Sequence, residues 1–582
     1  MKLIKITKII IVVIITVSMP FAANAQITKT GAEKATRESD RSLRKEAEKK
    51  LITPPPAKPP EIKKEEEKKI EGPKFFVKKI NLVGCESFSP DEFRPIIEKY
   101  ENKEISFDEL NILAKEIETE YLKKGVIAAC VIPPQEIKEG VVTLNVIEAR
   151  MGNLEIQDHR YFSKNRILYY WKIKAGEILH YDKIVRSLQL ISSNPDRQAN
   201  ATLHAGEKPK TTDVSLGVDT RFPIHLIGSF DREGAVPTGR YRKGFGLKHN
   251  NFLGLDDTLL GGYTYSDHYN GFYVYHKVPV TSFGTYVLYG YSYSKDFPKK
   301  EYTPYGIDSR VKNTSVFVYQ DLFNKDIYLG EVHLGLDAND NSTKTIFGTA
   351  NHDKLRILRL GSNLVYRALS SITYLNPEIS QGLNILGARK KSELSSRGAK
   401  STFTKFDLGI EHKRALPLNL EGVLKFKGQF ATTKLTPQEQ FFMGGINSVR
   451  GYPAGDYLAD NAAQANLELL IPAFFIPDSI KFPNAEKPLK DDITGLLFFD
   501  YGYGKIRGAL EGERKHVNFA SVGAGVRVRL FNQVFLRFEW GFPVGDRPIT
   551  ESGDSRFHVS IDFEDRIPEE IEKIDKQRKT QR

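Results

Sequence analysis

A two-residue alternation of apolar and polar side chains recurs through residues 212–563 and limits the possible folds more than any other feature. In Ala520–Phe531 the even positions carry Ala, Val or Leu, whereas the odd positions include Ser, Gly and Arg. The same alternation occurs at 405–413, 418–430, 534–540 and 557–563. Because successive side chains of a strand point to opposite faces, each segment has one apolar face and one polar face. The pattern predicts many antiparallel strands, arranged as either a soluble sandwich or a membrane barrel.

The N-terminal residues 1–25 have the pattern of an export signal. Lys2, Lys5 and Lys8 form a basic start, residues 9–17 are almost wholly apolar, and residues 21–25 end in a small-x-small cleavage pattern. An uncleaved membrane anchor is the alternative, but the apolar run is shorter than the roughly 20 residues of a membrane-spanning helix. We therefore expect cleavage after Ala25. For an exported chain with these strands, a membrane barrel is the favoured architecture.

Composition and length favour a β-barrel of about 16 strands. The chain holds 26 Tyr, 35 Phe and 45 Gly but only 2 Cys, which favours strands, aromatic girdles and tight turns over a disulfide scaffold or a zinc protein. Sixteen strands over residues 212–563 give about 22 residues for each strand with its connection, as membrane barrels require. The formal charge of +12 is spread along the chain, so we expect no nucleic-acid partner.

The segment between the export signal and the first regular strand predicts a helix followed by a linker. Within residues 26–52, Leu43, Ala47 and Leu51 recur at helical spacing on an otherwise polar segment. Residues 53–74 begin with a proline-rich run and continue with a run of charges, which is typical of an extended spacer. On composition alone, a disordered leader and linker is the alternative.

Residues 75–150 and 151–222 predict two small α+β modules with a β-α-α-β-β order. In the first module, Ser89 and Ser106 each open a helix as part of a capping box. The second module repeats the plan with weaker signals. We expect the remaining residues 223–563 to form the barrel and residues 564–582 to form a charged tail.

The sequence contains no motif of enzymatic chemistry. It lacks H-E-x-x-H, G-x-S-x-G, a Walker A loop and Cys-x-x-Cys, and its 12 His are scattered. We therefore expect no catalytic residue, no cofactor and no metal site.

A segment near residue 450 carries a family resemblance. Gly444-Gly445 followed by Val449-Arg450-Gly451-Tyr452 resembles the signature of the sixth extracellular loop in the Omp85 superfamily. The two modules resemble POTRA domains. The preceding helix with its proline-rich linker, and Asn250–Gly254 near the barrel start, resemble the TpsB transporters of two-partner secretion, the haemolysin-activator type.

The resemblance implies a specific ion pair inside the barrel. In this superfamily the sixth loop folds into the pore, and its arginine meets the acidic residue of an F-x-D motif on the inner wall. Phe498 and Asp500 match that motif, so the resemblance implies a pair between Arg450 and Asp500. A guanidinium in a narrow lumen needs a carboxylate, and a bidentate pair would fix a mobile loop. A direct role in transport and a role in barrel stability are both open at this point.

The resemblance also implies roles for the N-terminal parts. The helix at 26–52 would plug the pore, the linker would cross the periplasm, and the first module would receive an unfolded exoprotein. Its receiving surface would be a strand edge or the groove beside a helix, with the candidate residues Phe107, Tyr121, Ile127 and Val131. The first module also holds Cys85 and Cys130, as a disulfide or as two buried thiols.

The resulting expectation is a monomeric outer-membrane pore that exports one large TpsA-like exoprotein, with its POTRA modules in the periplasm. It would contact outer-membrane lipid and depend on the barrel assembly machinery and periplasmic chaperones. The alternatives are an Omp85-type assembly factor and a passive porin or surface-binding barrel. Two departures from the family pattern are the charged tail after Phe563 and the lack of the usual proline before Gly206.

Overall fold

The computed structural model describes residues 61–62, 74–137, 139–324, 327–481, 487–509, 513–531 and 533–565. The expected signal peptide (1–25), the expected plug helix (26–52), most of the linker and the tail beyond Asp565 lie outside the described residues. Of the helices in the described part of the chain, none combines the length and apolar character needed to cross a bilayer.

The first module consists of a three-stranded sheet, a two-stranded sheet and two helical segments around one apolar core. Ser106 caps the longer helix and exchanges hydrogen bonds with Glu109, which fixes the start of that helix. The sheet order is β3-β6-β5, and β2 pairs with β4. The elements, after the linker strand β1 (Glu61–Ile62), are β2 (Phe75–Val77), β3 (Lys79–Val83), α1 (Arg94–Ile97) between two 3-10 turns, β4 (Lys103–Ile105), α2 (Phe107–Lys123), β5 (Ala128–Val131) and β6 (Val141–Glu148).

The second module has one four-stranded sheet covered by two helices. Its elements are β7 (Arg150–Gln157), α3 (Lys164–Tyr170), α4 (Tyr181–Ile191), β8 (Arg197–Ala205) and β9 (Thr211–Thr220). The sheet order is β1-β8-β9-β7, so the linker strand β1 lies at the sheet edge, parallel to β8. The linker therefore occupies the outer edge of this sheet.

Backbone hydrogen bonds join the two modules near Ile127. The Ile127 N–H donates to Leu179 O at 3.1 Å, and the Tyr181 N–H donates to Gly125 O at 2.9 Å. The Ile127 side chain is 6% exposed and packs in the core of the second module. Because buried backbone groups are costly to leave unpaired, this contact holds the modules in a fixed relation.

The remainder of the described chain is a closed barrel of 16 strands in which every neighbouring pair is antiparallel. The predicted membrane barrel is confirmed, and the sandwich alternative is wrong. The strands are β10 (Ile224–Asp231), β11 (Arg242–His249), β12 (Thr258–Ser266), β13 (Tyr269–Pro279), β14 (Thr285–Asp296), β15 (Asp308–Asn324), β16 (Tyr328–Thr345), β17 (Gly348–Ala368), β18 (Ser371–Leu383), β19 (Thr404–Ala415), β20 (Glu421–Ala431), β23 (Asn461–Pro472), β24 (Ile493–Lys505), β25 (His516–Leu530), β26 (Val534–Pro543) and β27 (Arg556–Glu564).

The pleat of the barrel strands assigns each residue to the lumen or to the outer face. In β24, Leu497 and Phe499 are exposed on the outer face, whereas Phe498 and Asp500 are buried on the inner face. The F-x-D motif therefore directs both of its defining side chains into the lumen. Since β10 pairs with β27, the barrel closes on the strand that contains Phe563.

The turn that contains Asn250–Gly254 docks the barrel onto the second module. The Arg197 guanidinium donates to both carboxylate oxygens of Asp256, at 3.0 and 2.9 Å. Asn250 Nδ2 donates to Asp196 Oδ2 at 2.7 Å. The motif therefore lies at the junction between module and pore, where buried charged groups fix the orientation of the module.

Candidate functional site

The connection between β20 and β23, residues 432–460, is here called the pore loop. It contains a short hairpin, β21 (Phe441–Met443) paired with β22 (Tyr457–Ala459), and the segment between these strands folds back into the barrel. Gly444 and Gly445 have φ values of +97° and +95°, and a Cβ at Gly444 would lie 2.2 Å from Pro453 O. The paired glycines therefore permit a reversal of the chain that other residues could not adopt.

Arg450 lies at the centre of the site and is 1% exposed. Its Nε donates to Asp500 Oδ2 at 2.8 Å, and its Nη2 donates to Asp500 Oδ1 at 2.7 Å. The Arg450 backbone N–H also donates to Asp500 Oδ2, at 2.9 Å. The Phe498 ring lies 3.7 Å from the guanidinium carbon. The structure thus brings together Arg450, Phe498 and Asp500, the three residues that the resemblance connected.

The remaining guanidinium nitrogen contacts two further carboxylates. Arg450 Nη1 donates to Glu468 Oε1 at 2.8 Å and to Glu539 Oε2 at 3.0 Å. These acids lie on β23 and β26, whereas Asp500 lies on β24. One loop residue therefore binds three different strands of the wall, through charge-assisted hydrogen bonds in a site that excludes water.

Other cations balance the negative charge of this cluster. Arg527 donates to Glu468 and Glu539, both at 2.9 Å, and Lys425 donates to Glu468 at 3.0 Å. Arg537 donates to Glu539 at 3.1 Å and to Asn447 of the pore loop at 3.0 Å. Glu468 and Glu539 thus have cationic partners from both the loop and the wall, as buried charges require, whereas Asp500 accepts from Arg450 and from the Asn466 amide.

Tyr452 attaches the other side of the motif to the wall. Its ring stacks on Phe519 with centroids 4.0 Å apart, and its hydroxyl donates to Asp546 O at 2.8 Å. At the base of the loop, Asp456 accepts from the backbone N–H groups of Ile549 and Thr550, each at 2.7 Å. The pore loop is therefore held by aromatic packing and by the neighbouring loop as well as by Arg450.

Glu233 and His558 complete the site, although no sequence motif points to them. Glu233 Oε2 accepts from Ile446 N at 2.9 Å, and Glu233 Oε1 lies 2.7 Å from His558 Nδ1. The Gly451 N–H donates to His558 Nε2 at 3.3 Å. A single Glu and a single His, 325 positions apart, give no signal in the sequence. Only the closure of the barrel brings them together.

The candidate substrate-binding residues of the first module differ in accessibility. Tyr121 is 0% exposed, stacked on Phe93, so its assignment to an open groove is wrong. Ile127 is also unavailable, because it packs in the core of the second module. Phe107 is partly exposed at the start of α2, and Val131 is 40% exposed on β5. Of the four, these two can face a partner.

Cys85 and Cys130 are free thiols in the structure. Cys130 is buried, and burial with the nearby Glu118 charge raises its pKa to about 12. Burial also raises the pKa of Cys85. Among the described residues no group of three or more His, Cys, Asp and Glu side chains is placed to hold a metal ion.

The comparisons with known proteins agree with this architecture. The family model described as haemolysin secretion/activation protein ShlB/FhaC/HecB matches residues 210–528, more than half of the chain, and the ShlB-type POTRA domain matches residues 75–149. The chain belongs to this family. Family members of this kind are transporters rather than enzymes, and they secrete partner proteins. The chain is therefore an outer-membrane transporter of the two-partner secretion class, with its POTRA modules in the periplasm.

Individual relatives are distant in sequence but cover most of the chain. The heme/hemopexin transporter protein HuxB of Haemophilus influenzae (strain 86-028NP) is 24% identical and covers 75% of this chain and 77% of its own. The outer membrane transporter CdiB of Dickeya dadantii (strain 3937) is 22% identical over 66% of this chain and 70% of its own. The solved structure of CdiB from Escherichia coli has a TM-score of 0.66 at 18% identity and covers 93% of this chain and 99% of its own, which supports the fold.

Proposed function

We propose that this transporter moves one large, unfolded TpsA-like partner protein from the periplasm to the cell surface or medium, and that the Arg450 cluster is a releasable lock on the pore loop. The proposal of a lock rests on the surroundings of Arg450. This side chain is buried, and each of its guanidinium nitrogens donates to a carboxylate. The carboxylates belong to the wall and the arginine to the loop. Rotation of the Arg450 side chain away from the wall would therefore break its bonds to all three carboxylates at once.

The first module is proposed to receive the partner at the edge of β5. In the described residues β5 pairs with β6 alone, whereas the comparable edge of the second module carries the linker strand β1. Val131 is exposed on β5, so an extended segment could add there through backbone hydrogen bonds. Glu118 Oε1 accepts from Cys130 N at 3.0 Å, and an added strand would displace that contact.

The proposed route into the pore is a cavity that is lined by both the second module and the barrel. It has a volume of about 360 Å³. Arg186 and Leu190 of α4 lie on one side, and Tyr275, Lys277 and Glu331 of the barrel lie on the other. A polypeptide that leaves the modules would enter the barrel between these surfaces.

Residues 26–52 are proposed to plug the lumen at rest. The segment has more Lys and Arg than Asp and Glu. A mostly polar helix also has the polarity that a water-filled lumen requires. Removal of residues 26–52 should therefore raise the conductance of the barrel in planar bilayers.

The proposed environment follows from the barrel. The transporter would be a monomer that contacts outer-membrane lipid through its exposed apolar face, and it would need periplasmic chaperones and the barrel assembly machinery for insertion. We expect it to have no enzymatic activity.

Quantitative proteomics tests this function. Culture medium and outer membranes are compared between a strain that lacks this gene and the same strain that carries it on a plasmid. Loss of one large protein from the medium, with other barrels unchanged, is the expected result. Broad depletion of outer-membrane barrels would instead favour an assembly factor, and an unchanged medium would favour a passive porin.

A further inference from the structure

The seam of the barrel, between its first strand β10 and its last strand β27, is short. Residues 227–231 pair with residues 560–564, a shorter pairing than between any other neighbouring barrel strands in the described chain. Beyond this pairing, the Arg232 backbone N–H donates to Val559 O at 3.1 Å, and Arg232 Nη1 donates to Phe557 O at 2.7 Å. Closure at the outer end therefore depends on contacts outside the regular ladder.

Glu233 and His558 occupy that outer end and also bind the tip of the pore loop. Glu233 follows β10, His558 lies on β27, and the two side chains are almost fully buried. Glu233 uses one oxygen for His558 and the other for Ile446 N, and His558 Nε2 accepts from Gly451 N. Because Nε2 accepts, His558 carries its proton on Nδ1 and donates it to Glu233. Each carboxylate oxygen of Glu233 and each ring nitrogen of His558 thus has a hydrogen-bond partner.

We propose that Glu233 and His558 are positioning residues that clasp the tip of the pore loop to the barrel seam, so that release of the loop also loosens closure of the barrel. Ile446 and Gly451 lie on either side of Arg450 in the sequence, so the clasp and the Arg450 cluster hold the same segment. When the loop leaves, Glu233 loses its Ile446 donor and His558 loses its Gly451 donor. A buried carboxylate that has lost a donor favours separation of the strands that enclose it. The inference concerns the resting barrel and does not depend on which protein is exported.

The test uses the full-length protein without its native cysteines (C85S/C130S) in detergent. One reporter is V449C, whose labelling by a maleimide measures release of the loop, because Val449 is 0% exposed. The second reporter is the disulfide yield of S229C/D562C, which joins residues paired across the seam. The pair F535C/D562C joins β26 to the same residue of β27 and serves as its control.

Glu233→Gln replaces a carboxylate that accepts from Ile446 and His558 by an amide with a single accepting oxygen. The variant should raise maleimide labelling of V449C about tenfold. In the same variant the S229C/D562C yield should fall several-fold while the F535C/D562C yield stays unchanged. His558→Phe, which keeps a ring but removes both nitrogens, should give the same pattern from the other strand. Retained heat-modifiable migration on gels identifies the barrels that have folded.

The matched control is Glu551→Gln. Glu551 accepts from Arg240 at 2.8 Å and from Arg556 at 3.2 Å, so it also links the segment after β10 to β27, but these bonds do not involve the pore loop. This variant should leave V449C labelling unchanged. The proposal is overturned if folded E233Q and H558F barrels keep the loop protected, or if they release the loop while the seam disulfide forms as in the parent.

Discussion

The core of the first module and the pore-loop cluster are both almost fully buried, but different forces hold them together. In the module, Leu113, Ile117 and Leu144 are completely buried among apolar neighbours. In the barrel, Arg450 is equally buried among carboxylates. Apolar packing is non-directional, whereas removal of one member of a buried charge network leaves its partners uncompensated. The module is thus held by many small contacts, and the cluster by a few ionic ones.

The largest effect should come from Arg450→Ala. The change leaves Asp500, Glu468 and Glu539 without their shared partner, and loss of one member of a buried pair costs about 3–5 kcal/mol. We expect the heat-modified form on gels to appear at a lower temperature and the single-channel conductance to rise.

Arg450→Lys is the matched control. It keeps the charge but loses the fork that binds Asp500 through two nitrogens, so its effects should be intermediate. A barrel of unchanged thermal stability and conductance in R450A would show that the cluster does not hold the loop.

The apolar core should respond in a more local way. Leu113→Ala removes a fully buried side chain of α2 and should destabilise the first module by about 2–5 kcal/mol. Limited proteolysis should then cleave the module faster while the barrel stays resistant.

Ile112→Ala, at a neighbouring position that is 51% exposed, is the control and should change the cleavage rate little. If L113A weakened the barrel as much as R450A does, the two regions would not be independent and the comparison would fail.

The sequence predicted the module better than the cluster, for a physical reason. The capping box at Ser106 predicted the start of α2, which runs over Phe107–Lys123. Period-two alternation likewise predicted the strands at 534–540 and 557–563, which lie within β26 and β27. These signals are local, since each depends on residues within one element.

Such local signals do not reveal which side chains meet across the barrel. Nothing in the alternation of β26 distinguishes Glu539, which binds Arg450, from other polar residues on the inner face. Glu233 and His558 meet only because β10 pairs with β27. The accessibility of Tyr121 was predicted incorrectly because an apolar helix face does not reveal what covers it. Register and closure, rather than periodicity, determine these positions.

Substitution of one tyrosine in each region should give smaller losses of stability and so sharpen the comparison. Tyr452→Phe keeps the stack on Phe519 but removes the hydroxyl bond to Asp546 O, and should cost about 1 kcal/mol. Tyr121→Phe removes a 3.3 Å hydrogen bond from the Tyr121 hydroxyl to Glu148, but Glu148 keeps its bonds from the Ser87 backbone and side chain, so the loss should be smaller. Thermal unfolding of the barrel on gels and proteolysis of the module measure the two effects. A larger effect of Y121F would reverse the expected order.

The smallest expected effect concerns the rate at which the Cys130 thiol is alkylated. Because burial raises the pKa of Cys130 to about 12, its thiol stays protonated from pH 7 to pH 9 in the folded module. Alkylation of Cys130 in a C85S variant, followed by mass spectrometry, should stay slow over that range. In urea the rate should rise with a midpoint at about pH 8.5, the ordinary thiol value. The same midpoint in the folded protein would contradict the burial of this side chain.

A disulfide tether of the pore loop tests the releasable lock most directly. Val449 Cγ2 lies 2.9 Å from the position of a Cβ at Gly502, so V449C/G502C in the C85S/C130S background can join the loop to β24. Export of the partner protein identified by proteomics is then measured with and without reductant, and V449C and G502C alone are the controls. We predict that export stops in the oxidised double variant and returns on reduction. Full export with the tether closed would show that the loop need not leave the wall, and it would contradict the lock.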